Sequence, residues 1–235
     1  MDLGLRGLRA LVSGGTRGIG RAIAEAFAQE GADVAICARN AGGLDEALQA
    51  FRANNVRASG HALDVSDKAA LEAWVAAVAK EWDGIDIVIA NVSALAIGSD
   101  EENWRQSYET DLMGAVRLVN AAMPHLEKSK AAAIVTISSV SGREIDFAAG
   151  PYGTFKAALV HYTQGIAYQL ASKGIRANTV SPGNTFFAGG VWDQIKSGNP
   201  ELYKTALSLN PTGRWVLPGR WPTLWCSWPA LQRAL

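Results

Sequence analysis

Short apolar runs recur along the whole chain, and longer stretches of mixed polarity separate them. Each run is a few residues long and almost unbroken, which is typical of a strand buried on both faces of a sheet. The intervening stretches repeat apolar residues at the spacing of one helix face, as Ile19, Ile23 and Phe27 do. The predicted strands are residues 10–12, 34–38, 56–63, 85–90, 133–137 and 175–180.

This alternation of strands and helices predicts the fold class. Glycine stands between a helix and the next strand at Gly31, Gly84 and Gly174, where a left-handed residue commonly ends a helix. Repeated strand–helix units require right-handed crossovers, and therefore a parallel sheet with helices on both faces. We predict an α/β fold, a three-layer, Rossmann-type, doubly wound parallel sheet. Two further helix faces have the same spacing, Leu71 with Val75 and Val78, and Trp104 with Tyr108 and Leu112.

Composition narrows the possible partners. The chain has 235 residues, 49% of them hydrophobic, so one large domain can bury a substantial core. Lys plus Arg and Asp plus Glu both number 22, so no net charge favours nucleic acid or a membrane, and we expect a small-molecule substrate. Two cysteines cannot build a disulfide framework, and no apolar leader or membrane-length run is present, which predicts a cytoplasmic protein. The three histidines lack metal-ligand spacing, so we predict no catalytic metal.

A glycine-rich loop follows the first predicted strand directly. Residues 13–20 read Ser-Gly-Gly-Thr-Arg-Gly-Ile-Gly and open the first predicted helix. Glycines let the backbone approach a pyrophosphate, while the helix N-terminus offers free N–H groups and a positive dipole end. A glycine-rich turn alone is weak evidence, but the strand before it and the helix after it are the context that a dinucleotide site requires.

The end of the second predicted strand indicates which dinucleotide binds. An NAD site would place an acidic residue there to bind the ribose 2′-hydroxyl, whereas this chain has Arg39 and no acid. Arg39 and Arg17 would both reach a 2′-phosphate, so we predict NADP(H), although both arginines could instead be solvated surface charges. Asp64 and Asn91 follow the third and fourth strands and would face the adenine and ribose, unless Asp64 caps a helix and Asn91 only makes a turn.

A candidate catalytic pair lies further along the chain. Tyr152 and Lys156 are four residues apart, so they share one helix face and can act on one ligand. A phenol is a weak base at neutral pH, but a neighbouring ammonium group favours its phenolate form and makes proton exchange feasible. Ser139 would donate a hydrogen bond to the substrate oxygen as negative charge develops there. Such Tyr–Lys pairs also occur by chance on helices.

Together these motifs closely resemble the short-chain dehydrogenase/reductase family, of the type called 3-oxoacyl-carrier-protein reductase-like. The resemblance runs from Leu5 to Arg214 and rests on the glycine loop, the Asn91 turn, the Ser139, Tyr152 and Lys156 set, and a Pro-Gly turn that the family uses near the nicotinamide. It implies Tyr152 as general acid/base and hydride transfer between NADP(H) and a carbonyl or alcohol carbon. The residues expected to bind the cofactor are Ser13, Gly14, Thr16, Arg17, Gly18, Ile19, Gly20, Arg39, Asp64, Val65, Asn91, Tyr152, Lys156, Pro182, Gly183 and Thr185.

Two departures from the family pattern concern the site. The family has a catalytic asparagine where this chain has Asp111, so an acceptor is kept but the amide donor is lost. We hypothesise that Asp111 instead forms an ion pair that holds Lys156 charged. The family threonine that follows the Pro-Gly turn is met by Phe187, and Thr185 is close enough to replace it. The predicted pocket wall is Ala94, Leu95, Val140, Arg143, Phe147, Phe186, Phe187 and Trp192.

The C-terminal end departs most from the family. Residues 215–235 hold four of the eight tryptophans and three prolines, where the family continues with a helix and a final strand. We therefore expect residues 1–214 to form the NADP-binding and catalytic domain, without the family's final strand, and residues 215–235 to form an atypical tail. A reading-frame shift or cloning artefact near Arg214 would produce it. The family's homodimer or homotetramer uses the missing segment, so assembly is in doubt.

The leading functional prediction is an NADP(H)-dependent oxidoreductase that interconverts a ketone and a secondary alcohol on a small or medium apolar substrate. The alternative is a non-catalytic or impaired dinucleotide-binding relative, such as a sensor, because folds host many functions and Asp111 and the tail could impair turnover. A pure binding module would not need Ser139, Tyr152 and Lys156 together. NADPH oxidation with a panel of ketones discriminates between the two.

Overall fold

The computed structural model describes residues 3–220, and these form one parallel sheet with helices on both faces. The strand order is β3-β2-β1-β4-β5-β6, and every neighbouring pair is parallel. The predicted fold class is confirmed, and each predicted strand is present. The strands are β1 (Arg9–Ser13), β2 (Asp33–Ala38), β3 (Ala58–Ala62), β4 (Ile87–Ala90), β5 (Ala133–Ile137) and β6 (Arg176–Val180).

Eight α-helices connect and follow these strands within the described residues. Helices α1 and α2 pack on one face of the sheet, and α3, α5 and α6 pack on the other. Neighbouring residues of β1 alternate between the two cores, with Leu11 in one and Val12 in the other, because strand side chains alternate in direction. The helices are α1 (Gly18–Gln29), α2 (Leu44–Arg52), α3 (Lys68–Trp82), α4 (Glu101–Ser107), α5 (Gly114–Leu126), α6 (Pro151–Leu170), α7 (Val191–Gly198) and α8 (Pro200–Ser208).

The sheet order places a crevice at one point of its edge. From β1 the chain moves outward through β2 and β3, then returns to place β4 on the other side of β1. The helices that follow β1 and β4 lie on opposite faces, so the loops after these two strands separate. Ligands bind at such a switch point in open α/β sheets, and the glycine loop and Asn91 both lie there.

The predicted left-handed helix stops are confirmed at Gly31, with φ of +83°, and at Gly174, with φ of +70°. At the end of α3 the left-handed residue is Asp83, with φ of +59°, one residue before the predicted Gly84. One predicted helix face is present only in part. Trp104 and Tyr108 share a face, since both rings contact Phe155, but they are 39% and 42% exposed. Leu112 packs against the core instead, because a π-helical turn, Tyr108–Met113, lies between α4 and α5 and its extra residue breaks the 3.6-residue period.

The start of the predicted tail is packed against the domain. Trp215 stacks on Trp192 of α7 and Tyr203 of α8, with ring centroids 4.6 and 4.9 Å apart. The Phe186 N–H donates to the Val216 carbonyl oxygen at 2.8 Å. The rest of the tail, residues 221–235, lies outside the described residues. The predicted absence of the family's final strand falls on this segment and stays a prediction. The boundary at residue 214 stays a prediction.

Among residues 3–220, no helix has the length and apolar character that a membrane span requires.

Candidate active site

A cleft of about 470 Å³ opens at the carboxyl edge of the sheet. It runs from the glycine loop and Arg39, past the ends of β4 and β5, to the loop before α7. Most of the predicted cofactor residues line it. Those are Gly14, Thr16, Arg17, Ile19, Gly20, Arg39, Val65, Asn91, Tyr152, Lys156, Pro182, Gly183 and Thr185.

The glycine loop is held tightly between β1, β2 and β4. The Gly14 and Gly15 N–H groups both donate to the Cys37 carbonyl oxygen, at 2.8 and 3.3 Å. A Cβ atom on Gly15 would lie 2.3 Å from Ile36, and one on Gly20 would lie 2.1 Å from the Gly14 carbonyl oxygen. The loop therefore needs glycine for close backbone packing, and the same packing leaves the N-terminus of α1 open to the cleft.

Asn91 is more than a turn residue. Its side-chain Nδ2 donates to the carbonyl oxygens of Ser13 and Gly14, at 3.0 and 3.2 Å. It thus fixes the loop from the β4 side while it also lines the cleft. Burial raises the pKa of the neighbouring Cys37 thiol to about 12, so that thiol stays protonated and unreactive.

Three predicted cofactor residues do not line the cleft. The Ser13 hydroxyl is buried between strands, where it donates to the Ile89 carbonyl oxygen and accepts from the Asn91 N–H. Gly18 lies against the ring of Phe187, which a Cβ atom would approach to 2.6 Å. Asp64 is exposed and accepts from the N–H and hydroxyl of Ser66, whereas Asp67 caps α3.

Arg17 and Arg39 lie at the rim of the cleft. Both side chains are exposed, and neither forms an ion pair with another residue of the described chain. Arg17 has one long contact, from Nη1 to the Gly189 carbonyl oxygen at 3.5 Å. Two guanidinium groups without internal counter-charges are therefore available to an anionic ligand group.

At the other end of the cleft, Lys156 is almost completely buried. Its Nζ donates to the Ile137 carbonyl oxygen at 3.0 Å and lies 3.1 Å from Asp111 Oδ1. The same Nζ lies 5.7 Å from the centroid of the Tyr152 ring, so the phenol and the ammonium group converge. Asp111 Oδ2 accepts from the Ala94 N–H at 3.1 Å, which ties the ion pair to the loop after β4.

The end of β5 positions this pair through α6. The Ser138 hydroxyl donates to the Lys156 carbonyl oxygen at 2.7 Å. A short 3₁₀ turn, Val140–Gly142, packs directly on α6, where a Cβ on Gly142 would lie 2.7 Å from the Lys156 carbonyl carbon. The helix and the strand end are thereby held close enough to place Ser139 beside the pair in the cleft.

A hydrogen-bond chain that was not predicted from the sequence starts at Ser139. The Ser139 hydroxyl donates to Ser141 Oγ at 3.2 Å, and the Ser141 hydroxyl donates to Asp146 Oδ2 at 2.6 Å. Ser141 also lines the cleft. The Ser-x-Ser spacing is visible in the sequence, but no sequence pattern indicated that Asp146 would accept a hydrogen bond from Ser141.

Two aromatic side chains form part of the cleft wall. Phe147 packs edge-on against Trp192, with ring centroids 5.5 Å apart. Ala94, Arg143 and Phe186 do not line the cleft, although the sequence placed them there. The predicted wall residues that do line it are Leu95, Val140, Phe147, Phe187 and Trp192.

The turn after β6 closes this end. The Val140 N–H donates to the Pro182 carbonyl oxygen at 3.0 Å, which ties the turn to the loop after β5. Thr185 is buried, and its hydroxyl donates to the Gly183 carbonyl oxygen at 3.0 Å. The Pro-Gly turn and Thr185 therefore line the same cleft as Lys156.

A doubly wound sheet with a glycine cradle at its switch point defines a nucleotide-binding α/β protein. Comparison with known proteins identifies the family. The sequence matches the short chain dehydrogenase family from residue 9 to residue 190. This chain belongs to that family, and its relatives are oxidoreductases. The predicted resemblance is confirmed.

Individual relatives cover most of the chain. Isoepoxydon dehydrogenase of Penicillium expansum is 41% identical over 206 residues, which is 86% of this chain and 79% of the relative. A 3-oxoacyl-acyl-carrier-protein reductase of Vibrio cholerae is 33% identical and matches 90% of this chain and 85% of its own length. The crystal structure of L-sorbose reductase from Gluconobacter frateurii, complexed with NADPH and L-sorbose, superposes with a TM-score of 0.90 at 27% identity, over 100% of this chain and 93% of that one.

Proposed function

We propose that this chain is an NADP(H)-dependent oxidoreductase that interconverts a ketone and a secondary alcohol. The observation that carries the proposal is the convergence of Tyr152 and the buried Lys156–Asp111 ion pair in one cleft with the glycine cradle. The named relatives include dehydrogenases and reductases, and one solved structure contains both NADPH and a ketose.

The residues in the cleft fit a dinucleotide. The open N-terminus of α1 and the glycine cradle would hold the pyrophosphate, and Asn91, Lys156 and the Pro182–Gly183 turn would hold the nicotinamide end. When bound, the cofactor supplies or accepts the hydride. The preference for NADP(H) rests on Arg17 and Arg39, which reach the rim without internal counter-charges.

Proton handling falls to Tyr152. In the reduction direction its hydroxyl donates a proton to the carbonyl oxygen as negative charge develops there, and in the oxidation direction it accepts that proton. Lys156 provides positive charge beside the phenol, and Asp111 keeps that charge stable at a site with almost no solvent. Ser139 donates a hydrogen bond to the same substrate oxygen.

The test is NADPH oxidation by the purified chain with a panel of ketones, run beside NADH. We expect turnover with NADPH and much weaker turnover with NADH. Tyr152→Phe removes the proton donor but keeps the ring, so turnover should fall by about 10²–10⁴-fold while NADPH still binds. Binding of NADPH without turnover of any ketone by the unmodified chain would favour the non-catalytic alternative instead.

Tyr162 on the same helix gives a matched control. Its hydroxyl is buried without a hydrogen-bond partner among the described residues, and burial raises its pKa to about 12. Tyr162→Phe removes the same atom from a group that cannot exchange protons near neutral pH, so turnover should not change. A homodimer or homotetramer and a cytoplasmic location stay predictions.

A further inference from the structure

The chain from Ser139 through Ser141 to Asp146 fixes where the hydroxyl protons point. Each serine hydroxyl has one proton to donate. The Ser141 proton goes to Asp146 Oδ2 at 2.6 Å, a short bond to a charged acceptor. Ser141 Oγ can therefore only accept on its remaining side, and the group that donates to it in this structure is the Ser139 hydroxyl.

Asp146 is itself held in one orientation. Its Oδ1 accepts from the Ala148 N–H at 2.9 Å, so Oδ2 is the oxygen that faces Ser141. Ser139 Oγ accepts from the Ser141 N–H at 3.2 Å, so its own proton is what it can offer to a ligand. Once Ser139 turns that proton to a substrate carbonyl, Ser141 is left in the cleft as an acceptor without a donor.

We propose that Ser141, oriented by Asp146, selects ketones that carry a hydroxyl group on the carbon next to the carbonyl. This inference rests on the proposed function. The two serine oxygens lie 3.2 Å apart, which is comparable to the separation of two oxygens on adjacent carbons. Ser139 offers its proton to the carbonyl oxygen, and Ser141 accepts the proton of the neighbouring hydroxyl group. The aromatic wall of Phe147 and Trp192 would pack on the hydrocarbon part.

Three cyclic ketones test the proposal, namely 2-hydroxycyclohexanone, cyclohexanone and 2-methoxycyclohexanone. The hydroxyl group of 2-hydroxycyclohexanone donates to Ser141 Oγ, and cyclohexanone leaves Ser141 Oγ without a donor. The methoxy oxygen of the third ketone has no proton, so its lone pair repels that of Ser141 Oγ. One hydrogen bond of about 1 kcal/mol gives a preference of about fivefold in kcat/KM for the hydroxyl compound over cyclohexanone, with the methoxy compound lowest. In Ser141→Ala the hydroxyl preference should fall to near unity.

Asp146→Asn is the sharper variant. The amide oxygen stays with the Ala148 N–H, so the amide nitrogen takes the place of Oδ2 and donates to Ser141. The Ser141 proton then points into the cleft, and the methoxy compound should become about as good a substrate as the hydroxyl compound. Ser66→Ala is the matched control, because Ser66 also donates to an aspartate but lies outside the cleft. Its substrate ratios should equal those of the unmodified chain.

Binding of each ketone to the enzyme–NADPH complex, followed by NADPH fluorescence, separates this inference from the proposed function. Turnover of all three ketones with equal kcat/KM, or a hydroxyl preference that survives Ser141→Ala, overturns the inference and supports the proposed function. Binding in the predicted order without any turnover supports the inference and overturns the proposed function. Equal binding without turnover overturns both.

Discussion

A buried ammonium group needs negative charge or several acceptors around it, and Lys156 has both. Asp111 supplies the charge at 3.1 Å, and the Ile137 carbonyl oxygen supplies a second acceptor. The carboxylate is also held by the Ala94 N–H, so the pair connects three segments of the chain around the cleft. At the residue scale, this ion pair is the feature on which the arrangement of the catalytic pair most depends.

Removal of the Asp111 carboxylate should therefore affect both stability and turnover. Asp111→Ala leaves the ammonium group buried without a counter-charge, and we expect the free energy of unfolding to fall by about 3 kcal/mol, with turnover reduced at least about tenfold. Asp111→Asn keeps an acceptor but loses the charge, so the loss of stability should be smaller, about 1–2 kcal/mol, and the pH–rate profile should change. Unchanged turnover together with an unchanged profile in Asp111→Asn would contradict the role proposed for the ion pair.

Glu109 provides the control for this prediction, because it lies in the same π-helical turn. Its carboxylate pairs with Arg117 at 2.7 Å, but both side chains are partly exposed. Glu109→Gln should cost less than about 1 kcal/mol of stability, since solvent screens such pairs. Chemical denaturation of the three variants, beside their pH–rate profiles, makes the comparison.

At the scale of elements, close packing between α1 and the loops after β1 and β4 shapes the cofactor end of the cleft. Gly20 on the first turn of α1 faces the Gly14 carbonyl oxygen and Asn91 Nδ2, which a Cβ atom would approach to 2.1 and 2.4 Å. Both neighbours hold the loop, so neither can move without a change in its shape. The loop and the helix N-terminus are therefore one rigid unit.

Gly20→Ala should break this unit. We expect the affinity for NADPH to fall at least about tenfold and the free energy of unfolding to fall by about 1–3 kcal/mol, because the overpacked helix must shift away from the loop. Gly165→Ala on α6 is the control. Among the described residues, no atom outside the local helix backbone lies within 4 Å of the Cβ that it adds, so it should raise stability by about 0.5–1 kcal/mol through helix propensity. Thermal unfolding with and without NADPH measures both effects, and equal NADPH affinity in the two variants would contradict the packing argument.

At the scale of the whole molecule, Asp86 ties together segments that are far apart in the sequence. It accepts from Arg9 Nε at 2.7 Å and from the Ser129 hydroxyl at 2.5 Å, at the amino edge of the sheet. Burial raises the pKa of Asp86, but the hydrogen bonds from Arg9 and Ser129 outweigh it and hold the pKa below its ordinary value. Because the folded-state pKa is lowered, the ionised Asp86 carboxylate stabilises the folded chain. This stabilisation is complete above the unfolded-state pKa and is lost as the pH falls through the folded-state pKa.

Asp86→Asn should lower the free energy of unfolding by about 2 kcal/mol at pH 7. The difference from the unmodified chain should shrink as the pH falls below about 4, where the aspartates of the unfolded chain are protonated. Asp100→Asn is the control, since Asp100 is an exposed N-cap of α4 and asparagine caps a helix equally well. A difference for Asp86→Asn that stays constant from pH 7 to pH 2 would rule out the charge as its cause.

The tail also belongs to this scale. Trp215 and Val216 make specific contacts with α7, α8 and the loop after β6, so a break in the reading frame is better placed after Val216 than at Arg214. The genetic code restricts what a shifted frame of this tail encodes, wherever the shift lies before Trp221. A shifted frame reads the third base of each codon together with the first two bases of the next codon. In that frame both Trp-Pro pairs of the tail must give alanine, and the pair Trp225-Cys226 must give valine. Every step into a tryptophan gives leucine, methionine or valine.

We therefore predict an inserted or deleted base between the codons for Val216 and Trp221. The shifted frame replaces both Trp-Pro steps by alanine and each step into a tryptophan by leucine, methionine or valine, while Pro222-Thr223 must give tyrosine, histidine, asparagine or aspartate, so the repeated Trp-Pro pattern disappears. Sequencing of the gene from its genomic source across this point is the test. An uninterrupted genomic frame that encodes residues 217–235 of this chain would refute the shift.

Much of the fold and part of the site could be predicted from the sequence. Apolar runs and helix-face spacing located the six strands of residues 3–220, because burial on two faces demands apolar residues over a short stretch. The π-helical turn made the same reasoning wrong for Leu112, which packs on the core while Trp104 and Tyr108 stay on the surface, since an added residue changes which side chains share a face. The spacing of Tyr152 and Lys156 placed them on one helix face, and the position of Asp111 in the family pattern suggested its ion pair with Lys156. No local pattern indicated that this pair would be almost completely buried.

The sequence by itself determined the periodicities, the glycines and the order of the motifs, because these are properties of neighbouring residues along the chain. The tertiary structure alone decided which groups meet across the cleft. It turned Ser13 inward between strands, set Phe187 against Gly18 and brought Asp146 to Ser141. Such contacts depend on how the loops at the carboxyl edge of the sheet pack together, and no local pattern of polar and apolar residues encodes that packing.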